Sequence, residues 1–423
     1  MNDRELLLGS FRAAVAAADP LRIVPAHLPE PPRGRTVVVG AGKAAGAMAL
    51  AVERHWPAAA ALEGVVITRY AHGVPTQRIR VVEAGHPVPD EQGEAAAREI
   101  LALASGLGDA DLLLVLVSGG GSSLLAAPVP AVPMSDLKAA TRQLLASGAP
   151  IQDMNTVRKH LSAVQGGRLA AATRARVVAL VVSDVTGDDP THIASGPCAP
   201  DPTTYADARE VLHRYGIQPP ASVAAHLEAG VAGSVAETPK PGDPVFARTE
   251  NRLVASAHAS LAAAASFFQA QGIAAMMLGD SVTGESREVA KVYAALAREI
   301  RAHAQPARAP VALISGGETT VTVRGSGRGG RCTEFLLSLA IELDRLPATF
   351  ALACDTDGID GSEDNAGAVL DPDSLARAAA LGLDARRLLA ENDAYGFFAP
   401  LGDLVVTGPT RTNVNDYRVI LVR

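Results

Sequence analysis

Short, continuous apolar runs that end in glycine-rich or acidic loops constrain the fold of this chain more than any other feature. Four such runs occupy 36–40, 64–70, 111–118 and 176–184, and alanine-rich stretches of helical character lie between them. Apolar strands without polar alternation are typical of sheets covered on both faces. The alternation of strand and helix therefore predicts an α/β fold with a doubly wound, mostly parallel sheet.

The composition changes near residues 217–250, where QPP and TPKPGDP interrupt the pattern, and we expect a linker or domain edge there. A second α/β set follows, with one amphipathic helix and three strands at 285–303, 310–317, 349–355 and 418–423. Because 423 residues exceed one ordinary core, we predict two domains, 1–235 and a smaller α/β domain at 236–423.

The charge balance and the cysteines limit the possible partners and the compartment. With 38 basic and 45 acidic side chains, the net charge of −7 argues against binding to nucleic acid or to an anionic membrane. Three widely spaced cysteines form neither a disulfide framework nor a zinc pattern. The N-terminus is predicted to be an amphipathic helix and no apolar run could span a bilayer. We therefore expect a cytoplasmic protein, either a monomer or a homodimer.

The first glycine-rich loop follows the strand at 36–40. Gly40 and Gly42 allow a ligand to approach the backbone, and the next helix directs free N–H groups at an anion beside Lys43. A tight turn with an exposed lysine explains the same pattern about equally well. The spacing also approaches a dinucleotide fingerprint, but no carboxylate ends the next strand to bind a ribose. Arg69 at that position leaves NADP as an alternative.

The second loop has three consecutive glycines directly after a strand, flanked by Ser118 and Ser122. Successive free N–H groups and hydroxyls favour an anion nest over a structural turn. It is not a Walker A loop, because no Gly-Lys-Ser/Thr follows.

The third loop, 314–334, repeats the serine and glycine pattern and adds Arg324, Arg328 and Arg331. Arginine offers paired donors to phosphate or carboxylate, so this loop favours a ligand clamp over a flexible basic surface.

Acidic residues follow two other strands. Asp184 and Asp188 come after the strand at 176–184, where they could hold Mg²⁺ or orient a hydroxyl, although helix capping by Asp188 or Asp189 is the competing explanation. Asp355 and Asp357 lie in a segment that fails the EF-hand pattern. We interpret it as a polar turn, and membership of the site by Asp355 or Asp357 is the alternative.

A basic segment with Arg158, Lys159 and His160 is predicted to open a helix that ends at Gly166 and Gly167. We interpret His160 as structural.

Eight ordered motifs between residues 40 and 416 resemble those of the class II glycerate kinases, whose C-terminal part is the MOFRL domain. The motifs are GAGKAAGAMA, GHPVPD, SGGGSSLL, NTVRKHLSAVQGGRLA, SDVTGDDPTHIASGPCAPDPTT, ISGGETTVTVRGSGRGGR, DTDGIDG and TGPTRTNVND. Cys332, Thr333 and Arg411 depart from the family's usual pattern, and they concern the range of substrates more than the chemistry.

The resemblance implies ATP- and Mg²⁺-dependent phosphorylation of D-glycerate to 2-phosphoglycerate, in a cleft between a Rossmann-like kinase domain and the smaller domain. It implies Lys43, Asp184 and Arg328 as catalytic residues. From the acidic loop itself we expect Asp184 and Asp188 to hold the metal. The residues predicted to bind substrate or nucleotide are Gly42, Ser118, Gly119, Gly120, Gly121, Ser122, Arg158, Lys159, Ser315, Gly316, Gly317, Glu318, Arg331 and Asn413. An NADPH-dependent hydroxypyruvate reductase and a non-catalytic sensor of small anions are the alternatives.

Overall fold

The computed structural model describes all residues from 1 to 423. Twelve strands are present: β1 Thr36–Ala41, β2 Leu62–Arg69, β3 Ile79–Ala84, β4 Leu112–Val117, β5 Arg176–Val182, β6 Thr249–Ala255, β7 Ala274–Gly279, β8 Val311–Ser315, β9 Thr349–Asp355, β10 Gly367–Leu370, β11 Leu404–Val405 and β12 Asp416–Val422. Sixteen α-helices are present: α1 Asp3–Ala17, α2 Pro20–Ile23, α3 Ala45–His55, α4 Glu91–Ser105, α5 Gly121–Leu124, α6 Met134–Ala146, α7 Ile151–Leu161, α8 Arg168–Ala171, α9 Tyr205–Arg214, α10 Ala221–Val231, α11 Ala257–Ala270, α12 Ser286–His303, α13 Arg331–Leu343, α14 Ser374–Ala380, α15 Ala385–Ala390 and α16 Ala394–Phe398.

The chain forms two compact units, one made of Pro20–Val254 and the other of Met1–Asp19 with Ala255–Arg423. The first is called the continuous unit below and the second the split unit.

The sheet of the continuous unit has the strand order β3-β2-β1-β4-β5-β6. The pairs β3–β2, β2–β1, β1–β4 and β4–β5 are all parallel. Strands β1 and β4 are buried over their whole length, as expected for apolar runs at the centre of a covered sheet. This is the Rossmann strand order, in which the chain reverses its direction of travel between β1 and β4 and leaves a crevice at their carboxyl ends. The predicted doubly wound sheet is confirmed.

A cluster of helices, formed by α6, α7, α9 and α10, completes the continuous unit. Its apolar core includes Val157, Leu161, Tyr205 and Leu227. The segment predicted as a linker or domain edge, 217–250, lies inside this unit. It contains α10, and its end begins β6, an edge strand.

The split unit has a sheet of order β11-β10-β9-β12-β8-β7. Only β7 and β8 pair in parallel, whereas β8–β12, β12–β9, β9–β10 and β10–β11 are antiparallel. Helices α12 and α13 pack over one apolar cluster that includes Leu313 and Phe335. Helices α1 and α11 contribute to another that includes Phe11 and Phe268.

The compact units differ from the predicted boundaries in two places. The division falls after residue 254 instead of residue 235, and the first 19 residues join the split unit. The reason is packing over a large sequence separation, since Leu7 and Phe11 share a core with Leu261 and Phe268. The Tyr417 hydroxyl also donates a 2.8 Å hydrogen bond to Ser10 Oγ.

All seven predicted strands are present within two residues of their predicted bounds, and the helices at 90–105 and 285–303 are confirmed. The Asp90 side chain accepts from the Gly93 N–H, which makes it the N-cap of α4 as predicted. The prediction that a helix begins at Arg158 is wrong. Helix α7 instead begins at Ile151, after Pro150 in extended backbone, and Arg158 lies in its last turn. None of the sixteen helices combines the length and the apolar composition that a membrane span requires.

Candidate functional site

The two glycine loops of the continuous unit meet at the carboxyl ends of β1 and β4. The Lys43 N–H donates a 2.8 Å hydrogen bond to the Gly119 carbonyl, and the Ala44 N–H donates a 3.0 Å bond to Ser118 Oγ. In return the Ser118 N–H donates to the Ala41 carbonyl at 3.2 Å. These three bonds hold the loops side by side at the crevice of the sheet, which is where ligands bind in this fold.

Glycine is required at this junction for steric reasons. A β-carbon on Gly40 would lie 1.9 Å from the Leu116 carbonyl oxygen, and one on Gly42 would lie 2.5 Å from the Ser118 carbonyl oxygen. Gly42 also has φ 142°, in the region that disfavours side chains. The backbones of the two loops therefore approach each other more closely than alanine would permit.

Gly120 is the N-cap of α5 and has a left-handed backbone with φ 80°. A β-carbon at Gly120 would lie 2.9 Å from His86 Nε2 and 3.5 Å from Lys43 Cγ, so both side chains border the triple-glycine loop. The predicted Lys43 and Gly120 are therefore neighbours. His86 was not among the predicted site residues, although the motif GHPVPD contains it, because a single histidine in a loop gives no catalytic spacing.

The hydroxyl of Ser122 belongs to a hydrogen-bonded chain in the continuous unit. The Ser195 hydroxyl donates to Ser122 Oγ at 2.9 Å or to Asn155 Oδ1 at 3.1 Å. Ser195 lies in a run of three left-handed residues, since φ is 49° at Ala194 and 58° at both Ser195 and Gly196. A non-glycine residue in this conformation costs about 1–3 kcal/mol, and such strain is concentrated at functional sites.

The acidic loop after β5 holds the two predicted metal ligands. Asp184 and Asp188 are both partly exposed, and Asp188 adopts φ 55° while its N–H donates to the Val185 carbonyl. Neither Asp188 nor Asp189 is the N-cap of the helical turn that follows, because His192 occupies that position. The Asp189 carboxylate accepts a 2.8 Å hydrogen bond from the Thr191 N–H within the loop. No group of three or more His, Cys, Asp or Glu side chains is arranged to hold a metal ion. Mg²⁺ at a nucleotide needs only one or two carboxylates beside the phosphates, and the oxygen donors of this loop fit that need.

Lys159 and Arg158 are neighbours in α7 with different surroundings. The Lys159 ammonium lies 3.4 Å from Asp201 Oδ1, and the two side chains are 2% and 0% exposed. This arrangement favours a structural role for Lys159 over the predicted contact with a ligand. Arg158 instead lines a pocket with Ser122. His160 is buried and donates through Nδ1 to the Thr156 carbonyl, in agreement with a structural histidine.

In the split unit, Arg331 lies among three carboxylates. Its guanidinium contacts Glu318, reaches Asp355 Oδ2 at 2.8 Å and reaches Asp416 Oδ1 at 3.1 Å. Burial lowers the pKa of Arg331, but the three carboxylates outweigh it and hold the pKa well above its usual value. Arg418 pairs with the other oxygen of Asp416. Carboxylates of the chain itself thus neutralise Arg331, which weakens the predicted ligand clamp at this residue.

Arg328 lies apart from that acidic cluster. Its side chain is 59% exposed, stacks 4.2 Å above the Tyr395 ring and lies 3.5 Å from Glu363. Arg328 and Arg331 are thus in the same loop but in different electrostatic surroundings.

The start of α13, which follows this loop, is occupied by the chain itself. Asp360 accepts hydrogen bonds from the N–H groups of Cys332 and Thr333, both at 2.9 Å, and from the Thr333 hydroxyl at 2.7 Å. The carboxylate fills the position where a helix N-terminus would otherwise attract an external anion. Cys332 and Thr333, two of the three departures from the family pattern, are therefore both partners of Asp360.

The remaining predicted residues of the split unit lie at the ends of β8 and β12. Ser315, Gly316 and Gly317 are buried, and Asp416 N–H donates to the Gly317 carbonyl at 3.2 Å. Asn413 is buried three residues before β12, and its Oδ1 accepts a 3.4 Å bond from the Asn415 N–H. Glu318 is exposed and pairs with Arg331.

Two family models match the chain, a domain of unknown function (DUF4147) over residues 6–228 and the MOFRL family over 311–416. A relative from Agrobacterium vitis, provisionally named a hydroxypyruvate reductase, is 52% identical and covers 99% of this chain and 94% of its own. The glycerate 2-kinase of Pyrococcus horikoshii is 38% identical, and the match covers 100% of this chain and 98% of that protein. The crystal structure of a glycerate kinase from Thermotoga maritima superposes with a TM-score of 0.88 at 38% identity, over 99% of each chain.

Proposed function

The chain belongs to the family that joins a DUF4147 domain to a MOFRL domain and includes glycerate 2-kinases, and from this premise we propose that it phosphorylates D-glycerate. The donor is ATP with Mg²⁺, and the product is 2-phosphoglycerate. The observation that carries the proposal is the junction of the two glycine loops beside Lys43, at the crevice of a Rossmann-ordered sheet.

The junction has the chemistry of a phosphate site. Gly119, Gly120 and Gly121 lie at the end of β4, where backbone N–H groups can face an anion at close range. The Lys43 side chain borders the same loop at Gly120 and supplies the positive charge that phosphate oxygens require. We therefore assign Lys43 to the transferring phosphoryl group.

The reaction joins the C2 hydroxyl oxygen of glycerate to the γ-phosphorus and breaks the bond between that phosphorus and the β,γ-bridging oxygen, which leaves with ADP. Asp184, directly after β5, accepts the hydroxyl proton or orients the hydroxyl for attack. Mg²⁺, held by Asp184 and Asp188, supplies charge neutralisation at the phosphates when bound. Most of the catalysis in such transfers comes from positioning and electrostatics.

Arg328 is assigned to charge stabilisation as well, on the resemblance to the family. Its exposed guanidinium has one carboxylate at 3.5 Å, whereas that of Arg331 has three carboxylates around it. Three buried free thiols also agree with a reducing compartment, and we propose a cytoplasmic location.

A hydroxypyruvate reductase is the second candidate, because the strand order is that of dinucleotide-binding domains and a relative carries that provisional name. Against it, β2 ends at Arg69 with no carboxylate for the ribose hydroxyls of NAD. This candidate requires oxidation of NADPH by the purified protein with hydroxypyruvate and without ATP.

The deciding experiment measures ADP release from ATP with D-glycerate, with and without Mg²⁺, and identifies the product by phosphorus NMR. We expect Mg²⁺-dependent release and a phosphate on C2. L-Glycerate serves as the control for stereochemistry. Absence of ADP release at millimolar D-glycerate and Mg²⁺, with NADPH oxidation in its place, would refute the kinase proposal.

A further inference from the structure

Arg158 is a charged side chain without a counter-ion. It lies in the last turn of α7, is only partly exposed and makes no ion pair or hydrogen bond within the chain. Burial alone acts on its pKa, which it lowers. A guanidinium remains protonated in proteins, and removing an unpaired charge from water is costly. The next residue, Lys159, shows the usual solution, since it is paired with Asp201.

The pocket that Arg158 lines has the polarity of an anion site. The pocket is open to solvent, and its wall contains no aspartate or glutamate. Arg158 is the one charged residue of the wall, Ser122 and Thr141 add hydroxyls, and Ala126, Ala127 and Leu137 form an apolar side. A small organic anion with a short carbon chain matches this combination of charge and apolar surface.

Ser122 is held in place at the edge of this pocket. Its hydroxyl oxygen lies 2.9 Å from Ser195 Oγ, which in turn contacts Asn155. Its carbonyl accepts a 2.8 Å hydrogen bond from the Gln165 amide. Ser195 makes this contact from a left-handed backbone conformation, with φ 58°. Strain that is held by a network of bonds is typical of residues that position a ligand.

We propose that Arg158 binds the carboxylate of the acceptor hydroxy acid, with Ser122 as a second donor, an assignment that rests on the proposed function. A planar carboxylate matches the paired donors of guanidinium. The acceptor's hydroxyl then faces the neighbouring glycine loops, because Ser122 directly follows the triple glycine. One cation and an apolar side suit a monocarboxylate better than the several charges of a triphosphate.

The test compares the wild-type chain with Arg158→Ala and Arg158→Lys in the ADP-release assay. Losing charge-assisted hydrogen bonds should raise KM for D-glycerate roughly 10- to 100-fold. The KM for ATP should stay within about twofold of the wild-type value. The KM of Arg158→Lys for D-glycerate should lie between those of wild type and Arg158→Ala, because lysine keeps the positive charge but lacks the paired donors of the guanidinium. Arg209→Ala is the matched control, since Arg209 is an exposed arginine of the same unit in a surface ion pair.

A second measurement isolates the carboxylate. D-Lactate and 1,2-propanediol share a carbon skeleton, and only lactate has the carboxylate. We expect lactate to compete with glycerate in the wild-type enzyme and to lose most of its competition in Arg158→Ala, whereas propanediol should compete weakly with both. Unchanged lactate inhibition and an unchanged glycerate KM in Arg158→Ala would overturn the assignment, and so would a rise in KM for ATP alone.

Two measurements, thermal melts and calorimetric titration, distinguish a folding defect from a loss of carboxylate binding. Thermal melts of the three proteins identify a folding defect, and if Arg158→Ala is unfolded, the comparison rests on Arg158→Lys. If the wild-type enzyme does not phosphorylate glycerate, the proposed function fails. Calorimetric titration of D-glycerate into wild type and Arg158→Lys then still decides the carboxylate site. Weaker binding to the variant supports the site, and equal or absent binding to both overturns it.

Discussion

Gly42 lies so close to Ser118 that a β-carbon on Gly42 would be 2.1 Å from the Ser118 hydroxyl oxygen. That hydroxyl already accepts a hydrogen bond from the Ala44 N–H. The contact therefore joins the loop after β1 to the loop after β4, and the spacing between the loops depends on the missing side chain.

Replacing Gly42 by alanine should separate the two loops. We expect Gly42→Ala to lose at least tenfold in kcat/KM and to lower the free energy of unfolding by about 1–3 kcal/mol, from the left-handed backbone and the clash. Denaturant unfolding and the ADP-release assay measure both. Gly216→Ala is the control, because Gly216 has φ 62° but a β-carbon there would meet no other atom within 4 Å. Equal activity losses in both variants would mean that backbone strain, not the contact with Ser118, matters.

The charge of Lys43 should act mainly on the chemical step. Removing one donor to a transferring group lowers kcat by roughly 10²–10³, and we expect this for Lys43→Ala with an unchanged melting temperature. Lys291→Ala is the control, since Lys291 forms an exposed pair with Glu288. Near-wild-type turnover of a folded Lys43→Ala protein would remove Lys43 from the mechanism.

The buried pair of Lys159 and Asp201 should be costly to break from one side. Burial opposes ionisation of Asp201, but Lys159 and hydrogen bonds from Thr203 outweigh it and lower the pKa of Asp201. Asp201→Asn leaves a buried ammonium uncompensated, and we expect a loss of roughly 3–5 kcal/mol in unfolding free energy. Combining it with Lys159→Met should recover part of that loss. If the double variant is no more stable than Asp201→Asn, the unpaired ammonium of Lys159 is not the cause of the lost stability.

Histidines should make the continuous unit sensitive to acid. Burial lowers the pKa of His160, His192 and His226 below the ordinary value of 6.5. As the pH falls below about 6.5, the unfolded chain takes up protons that the folded unit does not, so stability declines. His226→Gln keeps a donor for the His160 carbonyl and should make the decline shallower. Unfolding titrations between pH 5 and 8 test this, and equal slopes would contradict it.

Asp360 should give the split unit the opposite response. Burial raises the pKa of Asp360 to about 6, although it accepts hydrogen bonds from Cys332 and Thr333. Between about pH 4 and 6 the folded carboxyl of Asp360 holds a proton that the unfolded one has lost. The contribution of Asp360 to stability therefore falls as the pH rises through this range, and it is constant above about pH 6. Asp360→Asn should remove that dependence. A pH profile identical to wild type would show that Asp360 ionises normally.

The central strands were predictable because buried apolar runs are a strong local signal, as in β1 and β4. The strands that the sequence did not predict lack such a buried apolar run. Strand β6 has the sequence TENRLVA and only its last residue is buried. Strand β10 has four residues, and β3 and β7 are only partly buried. The predicted start of α7 is wrong because it relied on the cluster of basic residues that begins at Arg158. The helix in fact begins directly after Pro150.

The site could be predicted as a set of loops but not as a set of contacts. Glycine patterns identified the loops after β1 and β4, and their adjacency follows from parallel strands sharing a carboxyl edge. The surroundings of Arg331 did not follow, because Glu318, Asp355 and Asp416 come from three separate segments. The difference between Arg158 and Lys159 likewise depends on Asp201, which lies 42 residues beyond Lys159.

The packing of α1 in the split unit sets an order of events during synthesis. Helix α1 leaves the ribosome before its packing partner α11, which ends at Ala270. At roughly 5–20 residues per second, the intervening stretch of about 250 residues takes on the order of 12–50 s to synthesise. Residues 20–254 form a unit from one uninterrupted stretch and can fold within that interval. Helix α1 therefore cannot pack until α11 has been made, and Leu6 and Leu7, which are buried in the folded unit, stay without their packing partners until then.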